Sequence, residues 1–180
     1  MNYKVTKSEN IFKGIVFDVK LDILEYDSGN AGRREVIHHN GGAVILPITN
    51  AGKLVLIKQF RYPLQKILIE APAGKLEIDE DPLTCATREL TEETGYTAKT
   101  VTALGKISTT PGFCDEILYL YLAQGLTAGE HNREEGEYGM EVFEYTMAEI
   151  GEMIKSGEII DSKTIAAIYH YKSFFLFADK

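Results

Sequence analysis

The sequence predicts a layered domain of mixed strands and few helices, either α+β or α/β/α, with an antiparallel β-hairpin ahead of it. Short β-branched apolar runs separated by turn residues fill the first 70 residues. One capped helix pattern follows, and two helical stretches close the sequence. With 180 residues, 44% of them hydrophobic, the chain is long enough for one ordinary domain and its core.

The N-terminal hairpin is predicted over residues 11–39. Residues 15–24 settle into apolar/polar alternation, residues 27–32 have turn chemistry, and residues 33–39 return as the second strand. Gly41 and Gly42 then break the pattern. We therefore expect an extension over residues 1–40 and the main domain over residues 41–180.

The elements of the main domain follow from apolar runs and their boundaries. A second hairpin is predicted around Asn50-Ala51-Gly52. The predicted strands are residues 43–49, 54–60, 67–70, 101–108, 116–123 and 140–146. The predicted helices are residues 82–94, 147–155 and 162–177.

Charge and composition exclude several classes of function. The 27 acidic residues outnumber the 19 basic ones, and the net charge of −8 disfavours nucleic-acid binding. No apolar run approaches the roughly 20 residues of a membrane span, and the N-terminus has no apolar signal segment. The two cysteines do not make a disulfide framework or a zinc site. We expect a cytoplasmic protein, although a mature secreted protein would share these features.

The helix over residues 82–94 has clear start and stop signals. Asp81 is a good N-cap, Pro82 suits the first helical position, and Gly95 suits a left-handed stop. At about 100° per residue, one side collects the residues of lower polarity. These are Leu83, Ala86, Thr87 and Leu90.

Glu89, Glu92 and Glu93 collect on a different side of the same helix. Like charges at this spacing repel, and Arg88 offsets part of the repulsion by pairing with Glu92 or with Glu80. The side is either a solvated acidic face or a site for Mg²⁺ or Mn²⁺, which prefer clustered hard oxygen ligands. The glycine-ended loop before the helix decides between the two.

Loop and helix together match the Nudix box, Gly-x5-Glu-x7-Arg-Glu-U-x-Glu-Glu-x-Gly-U, where U is a bulky apolar residue. The fixed positions are Gly74, Glu80, Arg88, Glu89, Glu92, Glu93 and Gly95. Leu90 fills the first apolar position, and Tyr96 fills the last one with an aromatic residue in place of an aliphatic one. The chain thus resembles the Nudix hydrolases.

The resemblance implies a Nudix α/β/α sandwich with a mixed sheet. It also implies hydrolysis of a nucleoside diphosphate linked to another moiety, with Mg²⁺ as the cofactor and Mn²⁺ as the alternative. The cations would be held by Glu89, Glu92 and Glu93 and by the carbonyl of Ala73. Glu80 would pair structurally with Arg88.

Three features beyond the box resemble the ADP-ribose pyrophosphatases of this family. Pro111 follows Gly95 by 16 residues, as the group's proline does, and Glu116 follows it. Gln59-Phe60-Arg61 is similar to the group's Gln-x-Arg, and Asp161-Ser162-Lys163-Thr164 to its Asp-Ala-Lys-Thr. The candidate substrate-binding residues are Arg34, Arg61, Pro111 and Glu116.

By the same resemblance, the N-terminal hairpin builds a homodimer and brings Arg34 to the partner's substrate. The general base would come from the acidic stretch that contains Glu135 and Glu137. That alignment of the family's Glu-x-Glu needs one inserted residue before the strand at Met140. Without the insertion, its two glutamate positions fall on Gly136 and Tyr138. Glu92 is a further catalytic candidate.

The predicted reaction is hydrolysis of ADP-ribose to AMP and ribose 5-phosphate. GDP-mannose hydrolases of the same broad group carry a similar Ser-Pro-Gly and arginine, so another nucleoside diphosphate sugar is the first alternative. A non-catalytic ADP-ribose sensor is the second. Such regulators usually lose box glutamates, whereas this box is intact.

Overall fold

The computed structural model describes residues 2–130 and 139–175. Within them the strands are β1 (Tyr3–Lys13), β2 (Phe17–Tyr26), β3 (Ala31–His39), β4 (Gly42–Pro47), β5 (Leu54–Arg61), β6 (Lys66–Glu70), β7 (Ala73–Lys75), β8 (Tyr96–Ser108), β9 (Ile117–Ala128) and β10 (Glu141–Tyr145). The helices are α1 (Pro82–Thr94), α2 (Met147–Ser156) and α3 (Ser162–Phe175), and a short 3-10 turn spans Tyr62–Leu64.

The chain divides into two compact units. The first contains Met1–Gly41 together with Ser108–Ile117. The second contains Gly42–Ile107 together with Leu118–Lys180. The loop that carries Pro111 therefore belongs with the N-terminal strands, although it is distant from them in sequence.

An antiparallel sheet in the order β1-β2-β3 forms the first unit. The predicted hairpin is present as β2 and β3, paired from Phe17↔His39 to Glu25↔Ala31. Strand β1 was not predicted. Its register shifts twice, between Val5 and Lys7 and between Asn10 and Phe12, and each shift disrupts the two-residue period that marks a strand in sequence.

The Pro111 loop continues this unit beside β3. The backbone N–H of Ile37 donates to the carbonyl of Phe113 at 2.7 Å, and the N–H of Asp115 donates to the carbonyl of Ile37 at 3.1 Å. Ile37 and Cys114 form a parallel bridge. Main-chain hydrogen bonds thus fix the loop to the edge of β3.

In the second unit, strand β4 separates two hydrophobic clusters. It is parallel to β9 and antiparallel to β7, in a mixed sheet of order β7-β4-β9-β8. Ala43 and Ile45 pack with residues of α1, whereas Val44 and Leu46 belong to the cluster that contains residues of α2 and α3. Because successive side chains of a strand point to opposite faces, helices cover both sides of this sheet. The predicted α/β/α arrangement with a mixed sheet is confirmed.

Strands β8 and β9 are longer than the sequence predicts. β8 begins at Tyr96 instead of residue 101, and β9 continues to Ala128 instead of ending at residue 123. Six of the ten added residues are exposed, and the few apolar ones make too short a pattern to predict a strand.

Among the helices that the structure describes, none is both long and apolar enough to cross a membrane.

Candidate active site

Helix α1 begins and ends at the residues that the sequence predicts. Oδ2 of Asp81 accepts hydrogen bonds from the N–H groups of Leu83 at 3.0 Å and Thr84 at 3.1 Å. Gly95 has a φ of +75°, and its N–H donates to the carbonyl of Thr91. Both ends of the helix are therefore capped. The caps fix where the helix begins and ends, and so which way its acidic residues face.

Only part of the less polar side of α1 is buried. Of the four residues of lower polarity, Ala86 and Leu90 are buried, whereas Leu83 is 43% exposed. Thr87 is also exposed, and its hydroxyl donates to the carbonyl of Leu83.

Acidic side chains occupy part of the buried side instead. Glu89 is only 7% exposed and Glu93 only 2%, so the solvated-face interpretation is wrong for both. A carboxylate is buried only where charge or hydrogen bonding compensates for the lost water.

Arg88 supplies much of that compensation. Its Nε and Nη2 donate to the two carboxylate oxygens of Glu80 at 3.0 and 3.1 Å, as the resemblance implies. Its Nη1 donates to Glu89 at 2.7 Å and to Glu92 at 3.0 Å. The hydrogen bonds from Arg88 lower the pKa of Glu80, and the bond to Glu80 is the main reason that the pKa of Arg88 is raised.

The backbone of β7 lies directly against the buried glutamates. The N–H of Ala73 donates to Oε2 of Glu93 at 2.9 Å. A Cβ atom added to Gly74 would collide with the side chain of Glu89, so any other residue there would displace this carboxylate. Glycine at this position thus permits the close approach of a carboxylate to the loop.

The glutamates, β7 and Arg61 line one cavity of about 400 Å³. Its lining residues are Gln59, Arg61, Ala73, Gly74, Lys75, Glu77, Arg88, Glu89, Glu92 and Glu93. The structure thereby brings Ala73, Arg61 and the metal-ligand candidates of α1 together.

The oxygen donors of this cavity fit a divalent cation. Carboxylates and backbone carbonyls are the ligands of Mg²⁺ and Mn²⁺. Within residues 2–130 and 139–175, no three acidic, histidine or cysteine side chains are already arranged as a metal site. Arg88 forms ion pairs with one oxygen of Glu89 and one oxygen of Glu92. A bound cation would therefore compete with this guanidinium for those oxygens.

Glu70, which the sequence did not predict as a site residue, orients Arg61. Glu70 is 1% exposed, and both of its oxygens accept hydrogen bonds from Arg61, at 2.8 and 2.6 Å. Burial opposes ionisation of Glu70, but hydrogen bonding from Arg61 and the charges of Lys163 and Arg61 outweigh it, so the pKa is lowered. The sequence signal for Glu70 was its position as the one acidic residue at the end of the otherwise apolar run Ile67–Glu70.

Gln59 also lines the cavity and was not among the predicted site residues. Its Oε1 is buried and has no hydrogen-bond partner among the described residues. A buried amide oxygen without a partner is costly, and a ligand that donates a hydrogen bond would satisfy it.

The other substrate candidates lie in the first unit. Nη2 of Arg34 donates to the Tyr26 hydroxyl at 2.6 Å, and Pro111 lies in an exposed turn. Nδ1 of His39 lies 3.3 Å from an oxygen of Glu116. Glu135 and Glu137 lie outside the described residues.

An α/β/α fold whose cavity joins buried carboxylates to arginine side chains is typical of an enzyme that acts on a phosphorylated substrate. The NUDIX domain model matches residues 38–168, and the chain belongs to this family. The resemblance to the Nudix hydrolases is thereby confirmed.

Similar proteins cover most of the chain. An ADP-ribose pyrophosphatase of Bacillus subtilis (strain 168) is 43% identical over 93% of this chain and 91% of its own. A methanol dehydrogenase activator of Bacillus methanolicus is 41% identical over the same shares, and a GDP-mannose pyrophosphatase of Cronobacter sakazakii is 31% identical over 91% and 89%. A solved ADP compounds hydrolase shares the fold, with a TM-score of 0.88 at 19% identity, covering 99% of this chain and 97% of that one.

Proposed function

We propose that this protein is a Mg²⁺-dependent hydrolase that cleaves the diphosphate of ADP-ribose to give AMP and ribose 5-phosphate. The observation that carries the proposal is the single cavity in which Glu89, Glu92, Glu93 and Arg61 meet. The similarity to an ADP-ribose pyrophosphatase over nearly the whole chain supports this substrate.

In this proposal Glu89, Glu92, Glu93 and the Ala73 carbonyl hold the cation. When bound, the cation neutralises diphosphate charge and lowers the pKa of a water molecule. Arg61 binds an anionic oxygen of the diphosphate, because a guanidinium is permanently charged and donates several hydrogen bonds. Glu135 or Glu137 accepts the proton of the attacking water, and Arg34, Pro111 and Glu116 contact the remainder of the substrate.

Hydrolysis of GDP-mannose is the second candidate reaction, because a GDP-mannose pyrophosphatase is also similar over most of the chain. Its identity of 31% is lower than the 43% of the ADP-ribose pyrophosphatase. The intact box argues against a sensor without catalysis.

Assay of a panel of nucleoside diphosphate sugars with Mg²⁺ tests the substrate. We expect ADP-ribose to have the highest kcat/KM among the ADP-sugars and GDP-sugars, and a chelator to abolish turnover. A kcat/KM for GDP-mannose well above that for ADP-ribose would overturn the substrate assignment, while leaving membership of the family untouched.

We also propose a two-fold homodimer formed through the N-terminal strands. Every residue of β1 is exposed, and Phe12 is 52% and Ile15 96% exposed. Apolar surface of this kind is typical of an interface. Arg34, Phe12 or Phe17 would then reach the partner's substrate. Light scattering should give about 40 kDa, twice the 20.1 kDa of the chain, and a fully active monomer at micromolar concentration would contradict the proposal.

A further inference from the structure

A buried ionic network connects the start of α3 to the cavity. Lys163 forms an ion pair with Glu70, and its Nζ lies 3.0 Å from Asp161. Lys163 is itself only 13% exposed, and the described residues that line the cavity do not include it. Its charge therefore acts on Glu70 and Asp161.

Glu70 in turn fixes the direction of Arg61. Two of the three guanidinium nitrogens, Nε and Nη2, donate to the carboxylate in a bidentate arrangement. Such an arrangement defines the plane of the guanidinium as well as its position. The third nitrogen, Nη1, makes no hydrogen bond to any residue that the structure describes, and Arg61 lines the cavity.

The same segment also supports the backbone near the metal-ligand candidates. Oδ2 of Asp161 caps α3 by accepting from the N–H and the hydroxyl of Thr164, at 2.9 and 2.6 Å. The Thr164 oxygen accepts a hydrogen bond of 2.7 Å from the N–H of Ala71, which is two residues before Ala73. Thr164 is fully buried, so this contact is shielded from water.

We propose that Glu70 and Lys163 are positioning residues for substrate binding. Lys163 holds Glu70, and Glu70 holds Arg61 so that Nη1 binds an oxygen of the substrate diphosphate. The inference rests on the proposed function, because it names the diphosphate as the ligand of Arg61. Neither Glu70 nor Lys163 touches the substrate in this proposal.

Two variants and a reference test this chain of contacts. Lys163→Met keeps most of the side-chain length without the charge, and Glu70→Gln keeps the shape with a single oxygen acceptor. Loss of binding that is equal in the ground and transition states raises KM and spares kcat. We expect each variant to raise the KM for ADP-ribose by about 10-fold and to change kcat by less than about threefold. Arg61→Ala is the reference: we expect neither variant to raise KM more than Arg61→Ala does.

The double variant separates positioning from a general structural effect. If Lys163 acts through Glu70, Lys163→Met should change KM by less than about twofold in the Glu70→Gln background, because coupled residues are not additive. Mn²⁺ affinity should match wild type in each single variant. Lys155→Met, which removes an exposed lysine paired with Glu152, is the matched control with wild-type KM.

Additive effects of Lys163→Met and Glu70→Gln, or a wild-type KM in either single variant, would overturn the proposal. So would a loss of Mn²⁺ affinity as large as the change in KM. If Lys163→Met does not fold, the KM of Glu70→Gln alone decides. Wild-type turnover of ADP-ribose tests the proposed function separately, and if another nucleoside diphosphate sugar is preferred, the same ratios are measured with that substrate.

Discussion

Glu93→Gln is expected to lower kcat for ADP-ribose by roughly 10³-fold or more. A bound divalent cation contributes several kcal/mol of charge stabilisation, and each 1.4 kcal/mol or so is a factor of ten in rate. The substitution keeps the side-chain size, and its amide oxygen still accepts the hydrogen bond from the N–H of Ala73. The expected loss is therefore one of charge and cation affinity rather than of the fold.

Steady-state kinetics and Mn²⁺ titration of Glu93→Gln measure the two effects together. Added metal should recover little activity. Glu152→Gln, which neutralises an exposed glutamate of α2, should behave as wild type in both measurements. Wild-type cation affinity and kcat in Glu93→Gln would remove Glu93 from the metal site.

Glu135→Gln is expected to lower kcat by roughly 10²–10⁴-fold, the usual contribution of a positioned proton acceptor. Because the base must be ionised to accept a proton, wild-type activity should fall as the pH falls through its pKa. The variant should lose that acidic limb of the pH–rate profile. Mn²⁺ affinity should remain nearly intact, which distinguishes this variant from Glu93→Gln.

Glu137→Gln is the matched comparison for Glu135→Gln. By the family resemblance the second glutamate of this stretch is a metal ligand, so its loss should weaken one cation. Near-wild-type kcat in both variants would show that this stretch does not supply the base. Glu92 and Glu116 would then be the carboxylates to substitute.

The features that sequence predicted best are those governed by neighbouring residues. The Asp81 cap, the Gly95 stop and the Glu80–Arg88 pair lie within α1 or within two residues of its ends. Capping and glycine rules act over a few residues, and so they can be applied without knowing the fold. The position of the acidic helix was therefore predicted to the residue.

The features that sequence analysis missed depend on contacts between distant segments. Glu70 and Lys163 are 93 residues apart, and neither carries a local pattern that indicates the other. Glu89 and Glu93 are buried while Leu83 is exposed, which depends on where β7 passes the helix. Helical periodicity identifies which residues share a side, whereas tertiary packing decides which side is buried.

Product analysis of ADP-ribose hydrolysis tests the central assignment most directly. The purified protein is incubated with ADP-ribose and Mg²⁺, with and without excess chelator, and the products are separated by chromatography. We expect equal amounts of AMP and ribose 5-phosphate with Mg²⁺, and unchanged ADP-ribose with chelator. Intact ADP-ribose in the presence of Mg²⁺, or cleavage to ADP and ribose, would contradict the assignment.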